Sequence, residues 1–272
     1  NYLVKSKKSY TPQNIRELKN DYDLFISGSD QVWSPRCVGF DPAYFLTFAD
    51  DKQKYSYAAS FAVPTLPDEF IDEYKKRLNG FQKFSVREPS GEKLVKELTG
   101  RTAETHLDPT LLISADEWKK IAVSKIDKPY ILIFTANPAV SLVDFALKLS
   151  KEKNLPVYCI NDAPHPVSHG INYIVAPTVE EFVGCFKNAE YVVTNSFHGT
   201  AFSVIFNKNL FVEFKNKSGR NIRSEGLLKS LGIDREIVDG NCNETEINWD
   251  IINAQLKTLG SKSKKYLSEI VN

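Results

Sequence analysis

Short apolar runs alternate with amphipathic segments along most of the chain, and this alternation restricts the possible folds more than any other feature. The runs 83–87, 130–135 and 191–194 are typical of buried strands, whereas 140–153 and 178–188 carry apolar residues at helical spacing. Strands that alternate with helices form βαβ units with mainly parallel sheets. The sequence therefore predicts an α/β fold, in which ligands bind beyond the carboxyl ends of the strands.

The polar, proline-bearing segment 126–129 divides this alternation into two halves. At 272 residues the chain is long enough for two domains of ordinary size. We predict an N-terminal α/β domain over 1–125 and a C-terminal one over 126–245. A C-terminal helix over 246–272 is expected to pack back on the N-terminal domain.

Charge and hydropathy exclude several classes of protein. The 35 Lys and Arg residues nearly balance the 34 Asp and Glu residues, which leaves a net charge of +1. Nucleic acid is therefore not a predicted partner, because bulk phosphate attraction needs a strongly basic chain. No apolar run is long enough to span a membrane, and residues 1–10 lack the apolar core of a secretory signal. We expect a cytoplasmic protein.

Cysteine and methionine usage adds two expectations. The four cysteines lie far apart, without the paired spacing of a zinc site, and we predict no metal site. The chain contains no Met, although a native chain of this length begins with Met and should contain several more. We therefore expect either a fragment or a sequence from which modified methionines are missing.

The segment 194–200, Thr-Asn-Ser-Phe-His-Gly-Thr, is the strongest candidate site, because it follows an apolar strand and opens a helix. Backbone N–H groups at a helix start suit a phosphate or a carboxylate. His198 stands where a proton donor would face such an anion. The structural alternative is that Ser196 only caps the helix and that His198 is a polar plug.

The segment 27–33 is the corresponding strand exit in the first half. Gly28 permits a close backbone approach, Asp30 can bind hydroxyl groups, and Trp33 offers a flat apolar face to a sugar ring. The structural alternative is a turn in which Asp30 bonds its own backbone and Trp33 belongs to the core.

Other polar residues near strand ends have weaker signals. Arg87 suits a carboxylate or a phosphate, although a surface pair with a Glu is the favoured structural reading. Asp108 is predicted to cap a turn. The basic residues around 208–223 form either a solvated surface or the rim of an anion site, and His165 and His169 are predicted to lie in a solvated loop.

Several common site motifs are absent from the sequence. No G-x-G-x-x-G follows a strand, no phosphate-binding G-x-x-x-x-G-K-[ST] loop is present, and residues 28–30 do not form a G-x-S-x-G turn. These absences disfavour a dinucleotide-binding domain, a P-loop protein and an α/β-hydrolase.

Four segments, 23–33, 85–88, 108–111 and 194–200, together resemble the polysaccharide pyruvyl transferase family, in this order along the chain. The resemblance extends from about Tyr22 to Ile233. It implies two Rossmann-like domains that face a cleft, as in GT-B glycosyltransferases, with the site in the cleft. It implies phosphoenolpyruvate as donor substrate, no cofactor, no metal and a pyruvate ketal as product.

The same resemblance implies the acceptor and its cellular setting. The acceptor would be a sugar of a cell-surface polysaccharide, such as an exopolysaccharide, or of its lipid-linked precursor. A peripheral association with membrane-bound glycan assembly would follow. Family members usually begin with a glycine-containing strand-loop-helix unit, so the first domain is expected to lack this N-terminal unit.

Carried onto this sequence, the resemblance implies roles for individual residues. His198 matches the proposed catalytic acid. Donor-binding residues would be Arg87, Asn195, Ser196, Gly199 and Arg220, and acceptor-binding residues would be Asp30, Gln31 and Trp33. Some members carry an Arg where this chain has Ser196, so Arg220 or Arg223 would have to complete the phosphate site.

Two other functions remain open on the sequence. One is a nucleotide-sugar glycosyltransferase with the same two-domain architecture. The other is a non-catalytic glycan-binding remnant that has lost its first strand unit.

Overall fold

The computed structural model describes residues 6, 8–36, 40–136, 139–161, 170–216 and 219–272, with the backbone alone at 161, 215, 216, 219 and 220. The chain forms two compact units, one up to Asp108 together with Lys262–Asn272 and one over Pro109–Ser261. We call them unit 1 and unit 2. His165 and His169 lie outside the described residues.

The structure contains the predicted helices at 140–153 and 178–188 and the predicted strands within 83–87, 130–135 and 191–194. The α-helices of the described residues are α1 Ile71–Leu78, α2 Pro89–Thr99, α3 Ala115–Ile121, α4 Val140–Lys153, α5 Val179–Asn188, α6 Phe197–Ile205, α7 Ile222–Ser230 and α8 Trp249–Val271. The strands are β1 Phe25–Ser27, β2 Lys54–Ser56, β3 Ser85–Val86, β4 Glu104–Thr105, β5 Ile131–Phe134, β6 Val157–Asn161, β7 Ile171–Val175, β8 Tyr191–Thr194, β9 Asn209–Val212, β10 Lys215–Asn216, β11 Gly219–Arg220, β12 Ile237–Val238 and β13 Asn241–Cys242.

Unit 1 is built on short parallel strand pairs. β1 pairs with β2 and β3 with β4, and isolated bridges join the two pairs, as between Ala59 and Val86. The core of this unit is rich in aromatic rings that pack around Trp33, which is fully buried. The Trp33 indole N–H donates to the carbonyl of Tyr44. This indole has no face open to a sugar, so we withdraw the predicted acceptor-side role of Trp33 in favour of a core role.

Unit 2 contains a five-stranded parallel sheet in the order β7-β6-β5-β8-β9. The central strands β5 and β8 are apolar on both faces because helices cover a parallel sheet from both sides, and Ile131, Leu132, Val192 and Val193 are fully buried. The predicted α/β class with parallel sheets is therefore confirmed. Two domains that face a cleft, and a missing N-terminal unit, stay predictions.

The segment just before the polar stretch 126–129 packs with unit 2. The short 3-10 helix Pro109–Leu112 contacts α6, and α3 contacts α5. The ring centroids of Trp118 and Phe202 lie 5.1 Å apart. The boundary of unit 2 therefore lies at Pro109.

The last turns of α8 belong to unit 1. The Tyr266 hydroxyl donates to the carbonyl of Ser56 at 2.9 Å, and Ser263 Oγ accepts from the backbone N–H of Leu107 at 3.1 Å. Among the described residues, no helix has both the length and the apolar character needed to cross a membrane.

Candidate active site

The strand order of unit 2 fixes where a ligand site is expected. β5 is the first strand of the sheet; β6 and β7 follow on one side of it, and β8 and β9 lie on the other. The order in which successive strands are added to the sheet therefore reverses between β5 and β8, and open α/β sheets bind ligands at such a switch point, outside the carboxyl ends of the strands. The predicted segment 194–200 begins at this point.

Hydrogen bonds join the ends of β5 and β8. Thr194 Oγ1 donates to the carbonyl of Phe134 at 2.6 Å and accepts from the backbone N–H of Ser196 at 3.0 Å. The Asn195 side chain accepts from the backbone N–H of Ala136 at 2.9 Å. Asn195 is buried, so we interpret this side chain as part of the frame that holds both loops.

Ser196 is the N-cap of α6, and its side chain accepts from the backbone N–H of Gly199. Both interpretations of Ser196, as part of an anion site and as a helix cap only, require this hydrogen bond, so the cap does not distinguish them. The remaining N–H groups of the first turn and the helix dipole favour an anion at this end. His198 lies in this first turn and is half-buried, with its ring centroid 5.4 Å from that of Phe197.

Gly199 lets α6 approach the sheet closely. A Cβ on this residue would lie 2.2 Å from Thr194 Oγ1 and 3.2 Å from Phe134 Cδ1. No real side chain fits at such distances, so the helix start can pack against the strand ends only with glycine here.

We expect Gly199→Ala to push the first turn of α6 away from β8 and to destabilise the protein by about 1–3 kcal/mol, as overpacking usually does. Because His198 moves with that turn, activity should fall by more than the loss of folded protein explains. Urea unfolding and turnover per folded molecule measure the two effects. Gly260→Ala is the matched control, because nothing lies within 4 Å of a Cβ there, and it should be neutral or stabilising.

The start of α7 adjoins the start of α6. The Asn221 side chain caps α7 and also donates to the carbonyl of Asn195 at 3.0 Å. The Arg223 guanidinium lies 5.7 Å from the centroid of the Phe197 ring. The start of α7 and one cation therefore lie beside the loop and the first residue of α6, in the turn that also carries His198. The side chain of Arg220 lies outside the described atoms, so its predicted role stays a prediction.

A second polar cluster lies at the strand ends of unit 1, around Arg87. The guanidinium contacts Asp108 Oδ2 at 2.6 Å and Asp30 Oδ1 at 3.4 Å, and it also donates to Ser29 Oγ. The side chains of Arg87 and Asp108 are each only 2% exposed. The predicted surface pair between Arg87 and a Glu is therefore wrong, because this arginine is buried.

Asp108 does more than cap a turn, because it also binds side chains of this cluster. Its carboxylate accepts from Ser29 Oγ at 2.8 Å besides holding Arg87. Asp30, in contrast, is 59% exposed and its Oδ1 accepts from the backbone N–H of Gln31 at 2.8 Å, as the turn reading predicts. The Asp30 carboxylate is thus positioned by Arg87 yet open to a hydroxyl ligand.

Gly28 is required by the local backbone. Its φ of +117° lies in the region that favours glycine, and a Cβ would lie 2.2 Å from the carbonyl oxygen of Tyr57. This close approach serves the packing of the loop after β1 against the segment after β2, and the approach of a ligand to the Gly28 backbone stays a prediction.

Glu88, which follows Arg87, organises the neighbouring loop. Its buried Oε1 accepts from Ser60 Oγ and from the backbone N–H groups of Phe61 and Ala62, at 2.9 to 3.1 Å. A buried carboxylate is tolerated when several donors surround it in this way. The sequence reading missed this role, and only the position of Glu88 at a strand exit hinted at it.

His106 is a buried histidine of unit 1 that does not belong to the Arg87 cluster. Its Nδ1 lies 2.8 Å from Ser85 Oγ, and its ring centroid lies 4.6 Å from that of Tyr266. Burial, reinforced by the Lys262 ammonium, lowers the pKa of His106 below its usual 6.5. Ser85 is fully buried, so this Ser-His contact is structural.

We expect His106 to make folding pH-dependent. A pKa below 6.5 in the folded state means that the unfolded chain binds the proton more readily, so the stability contributed is fully present above pH 6.5. It is lost as the pH falls through the lower folded pKa. Urea unfolding from pH 7.5 to 5 should show this loss, and His106→Asn should flatten that part of the profile. Equal slopes in both proteins would contradict the assignment.

The structure thus groups the predicted residues into two clusters. Asn195, Ser196, His198 and Gly199 meet in unit 2, and Asp30, Gln31 and Arg87 meet in unit 1. In the part of the chain that the structure describes, no three His, Cys, Asp or Glu side chains are placed to hold a metal ion.

Comparisons with known proteins show which sequences and structures this chain is similar to. A search of curated protein sequences finds no significant match. Among solved structures, UDP-GlcNAc 2-epimerase from Methanocaldococcus jannaschii is similar at 14% identity over 92% of this chain and 76% of that chain, with a TM-score of 0.51. The iron-containing dodecameric glycosyltransferase TibC from enterotoxigenic E. coli H10407 matches at 13% identity over 79% and 62% of the two chains, with a TM-score of 0.33.

A protein-family model shows which family the chain belongs to. The model described as polysaccharide pyruvyl transferase matches residues 1–212, which include β8, the loop after it and the whole of α6. The matched region therefore contains both polar clusters. The chain belongs to the polysaccharide pyruvyl transferase family and is a transferase.

Proposed function

We propose that this chain transfers the enolpyruvyl group of phosphoenolpyruvate to a sugar of a polysaccharide or its precursor and forms a pyruvate ketal. The observation that carries the proposal is the position of His198, in the first turn of a helix that starts at the switch point of the sheet. The family match supports a sugar acceptor.

The reaction needs one proton donor and one anion site. Protonation of the donor's methylene carbon makes a methyl group and leaves a cationic C2, which a sugar hydroxyl attacks with loss of its proton. The bond from C2 to the phosphate oxygen then breaks, and phosphate leaves with the electron pair. A second hydroxyl of the same sugar adds to C2 and loses its proton, which completes the ketal. The two protons from the sugar balance those taken up by the methyl group and the phosphate.

In unit 2, His198 would supply the proton to the methylene carbon. The N–H groups at the start of α6 and the Arg223 guanidinium would hold the phosphate or the carboxylate, because positive groups fixed in advance favour the charge that develops in the transition state. Arg223 stands beside Phe197, close enough to this helix start to supply the cation that Ser196 does not. Arg220 is the other candidate for this cation.

In unit 1, Asp30 and Gln31 would face the acceptor. The exposed Asp30 carboxylate can accept a hydroxyl proton, and Arg87 holds it in place. A role of Arg87 in donor binding stays a proposal from the family resemblance, since the guanidinium already contacts two carboxylates here.

Ligand-induced stabilisation against heat tests the proposal. Phosphoenolpyruvate in excess of its dissociation constant should raise the melting temperature, because a ligand that binds only the folded state stabilises it. Release of inorganic phosphate should then depend on an added glycan. Stabilisation by UDP or GDP sugars but not by phosphoenolpyruvate would instead support a nucleotide-sugar glycosyltransferase. Sugar binding without turnover of any donor would support a glycan-binding remnant.

A further inference from the structure

A row of buried polar side chains joins the beginnings of α6 and α7. The Asn221 amide donates to the carbonyl of Asn195 at 3.0 Å and to Ser224 Oγ at 2.9 Å. Thr200 Oγ1 lies 3.1 Å from Ser224 Oγ and donates to the carbonyl of Ser196 at 3.0 Å. Asn221, Ser224 and Thr200 are all buried. Both helix starts are therefore held by one hydrogen-bonded network.

Asn221 is the residue on which this network depends. Its Oδ1 accepts from the backbone N–H of Ser224 as the α7 cap, while its NH2 group bonds Asn195. Its own backbone N–H donates to the carbonyl of Phe214 at 2.6 Å. A cap alone needs only the side-chain oxygen. The second half of the amide is directed at the loop that precedes α6.

The bond to Asn195 has a consequence for His198. Asn195 directly precedes the α6 cap Ser196, and His198 lies in the turn that this cap opens. Arg223, on the other side of Asn221, lies in the first turn of α7 beside Phe197. The Asn221 amide thus connects the backbone that carries the proposed acid with the backbone that carries a proposed phosphate-binding cation.

We infer that Asn221 is a positioning residue for the donor site, which sets the first turn of α6 relative to the first turn of α7. This inference rests on the proposed function for its effect on phosphoenolpyruvate, but not for its effect on His198 itself. The site it shapes takes a small phosphorylated carboxylate, whose two anionic groups need donors from both helix starts.

Asn221→Ser separates positioning from capping. Serine is a good N-cap and keeps the bond to the Ser224 N–H, but its side chain is too short to cap and to reach the Asn195 carbonyl as well. We expect near wild-type unfolding in urea and an affinity for phosphoenolpyruvate that is about 10- to 100-fold weaker, as small misplacements of binding groups produce. In the ligand-free protein, the NMR signals of the His198 ring should shift.

Asn188→Ala is the matched control. The Asn188 side chain also donates to a backbone carbonyl of unit 2, that of Ile126 at 3.2 Å, but it lies at the other end of the sheet. This variant should leave the affinity for phosphoenolpyruvate and the His198 signals unchanged. If Asn221→Ser unfolds too readily, Asn221→Thr also keeps a capping hydroxyl without a second group for the Asn195 carbonyl, and it should shift the His198 signals in the same way.

The outcomes distinguish this inference from the proposed function. Wild-type affinity and unshifted His198 signals in a folded Asn221 variant would overturn the positioning role. A wild-type protein that binds neither phosphoenolpyruvate nor inorganic phosphate would overturn the proposed function. Shifted His198 signals would still support the role of Asn221 in that case.

Discussion

Replacing His198 by glutamine is expected to remove nearly all ketal formation while leaving the fold intact. Glutamine can still donate a hydrogen bond but cannot deliver a proton, and a positioned acid or base contributes about 10²–10⁴-fold to the rate. The side chain is half-buried in the first turn of α6, so its loss should cost little stability. Turnover of phosphoenolpyruvate with a glycan acceptor, followed as released phosphate, measures the effect.

His198→Ala should behave in the same way, and it also removes the capacity to donate a hydrogen bond. Unchanged urea unfolding and retained binding of phosphoenolpyruvate by the glutamine variant are the controls, because they show that chemistry rather than folding or binding has been lost. Full activity in either variant would remove His198 from the role of acid.

Replacing Arg87 by alanine is expected to produce the largest loss of stability. The substitution leaves the Asp108 carboxylate, which is only 2% exposed, without the guanidinium that lies 2.6 Å away. Removing one partner of a buried ion pair costs about 3–5 kcal/mol, because the remaining charge stays buried. Urea unfolding with Lys93→Ala as the control measures this effect. Lys93 and Glu97 form a well-exposed pair of unit 1, 3.7 Å apart, and such pairs contribute little.

A double variant identifies the cause of that loss. Arg87→Met with Asp108→Leu removes both charges and should recover much of the stability, since apolar replacements of a buried ion pair are often neutral. An Arg87→Ala protein as stable as Lys93→Ala would contradict the buried network. Donor affinity must be measured at temperatures where the Arg87 variant is folded, and wild-type affinity there would remove Arg87 from donor binding.

Local sequence patterns predicted the helices and the inner strands well. The segments 140–153 and 191–194 coincide with α4 and β8. Helix α5 begins with a capping box of Thr178 and Glu181, a local sequence pattern, with both hydrogen bonds formed. These features depend on residues within a few positions of each other, so the local sequence is enough to predict them.

Features that depend on residues far apart in the sequence were harder to predict. Strand β7, Ile171–Val175, was not predicted, because it lies at the edge of the sheet and has no regular alternation of buried and exposed residues. Asp108 looked like a turn residue, since its partner Ser29 stands 79 positions earlier. Trp33 matched a sugar platform in composition, but the surrounding phenylalanines place it in the core.

The candidate site shows the same division. The sequence led to His198 because strand, polar loop and helix follow each other within one segment. The roles of Asn195 and Asn221 depend on contacts between three separate loops, after β5, after β8 and before α7. An Asn three residues before Ser224 is an N-cap pattern, and this was the one local signal that could have found Asn221.

Glycan-dependent release of inorganic phosphate from phosphoenolpyruvate, compared between the wild-type protein and His198→Gln, tests the central claim most directly. The wild-type protein should release phosphate only when a glycan is present, with a pyruvate ketal as product, and the variant should release about 10²–10⁴-fold less. Equal release by both proteins, or consumption of a nucleotide sugar in place of phosphoenolpyruvate, would contradict it.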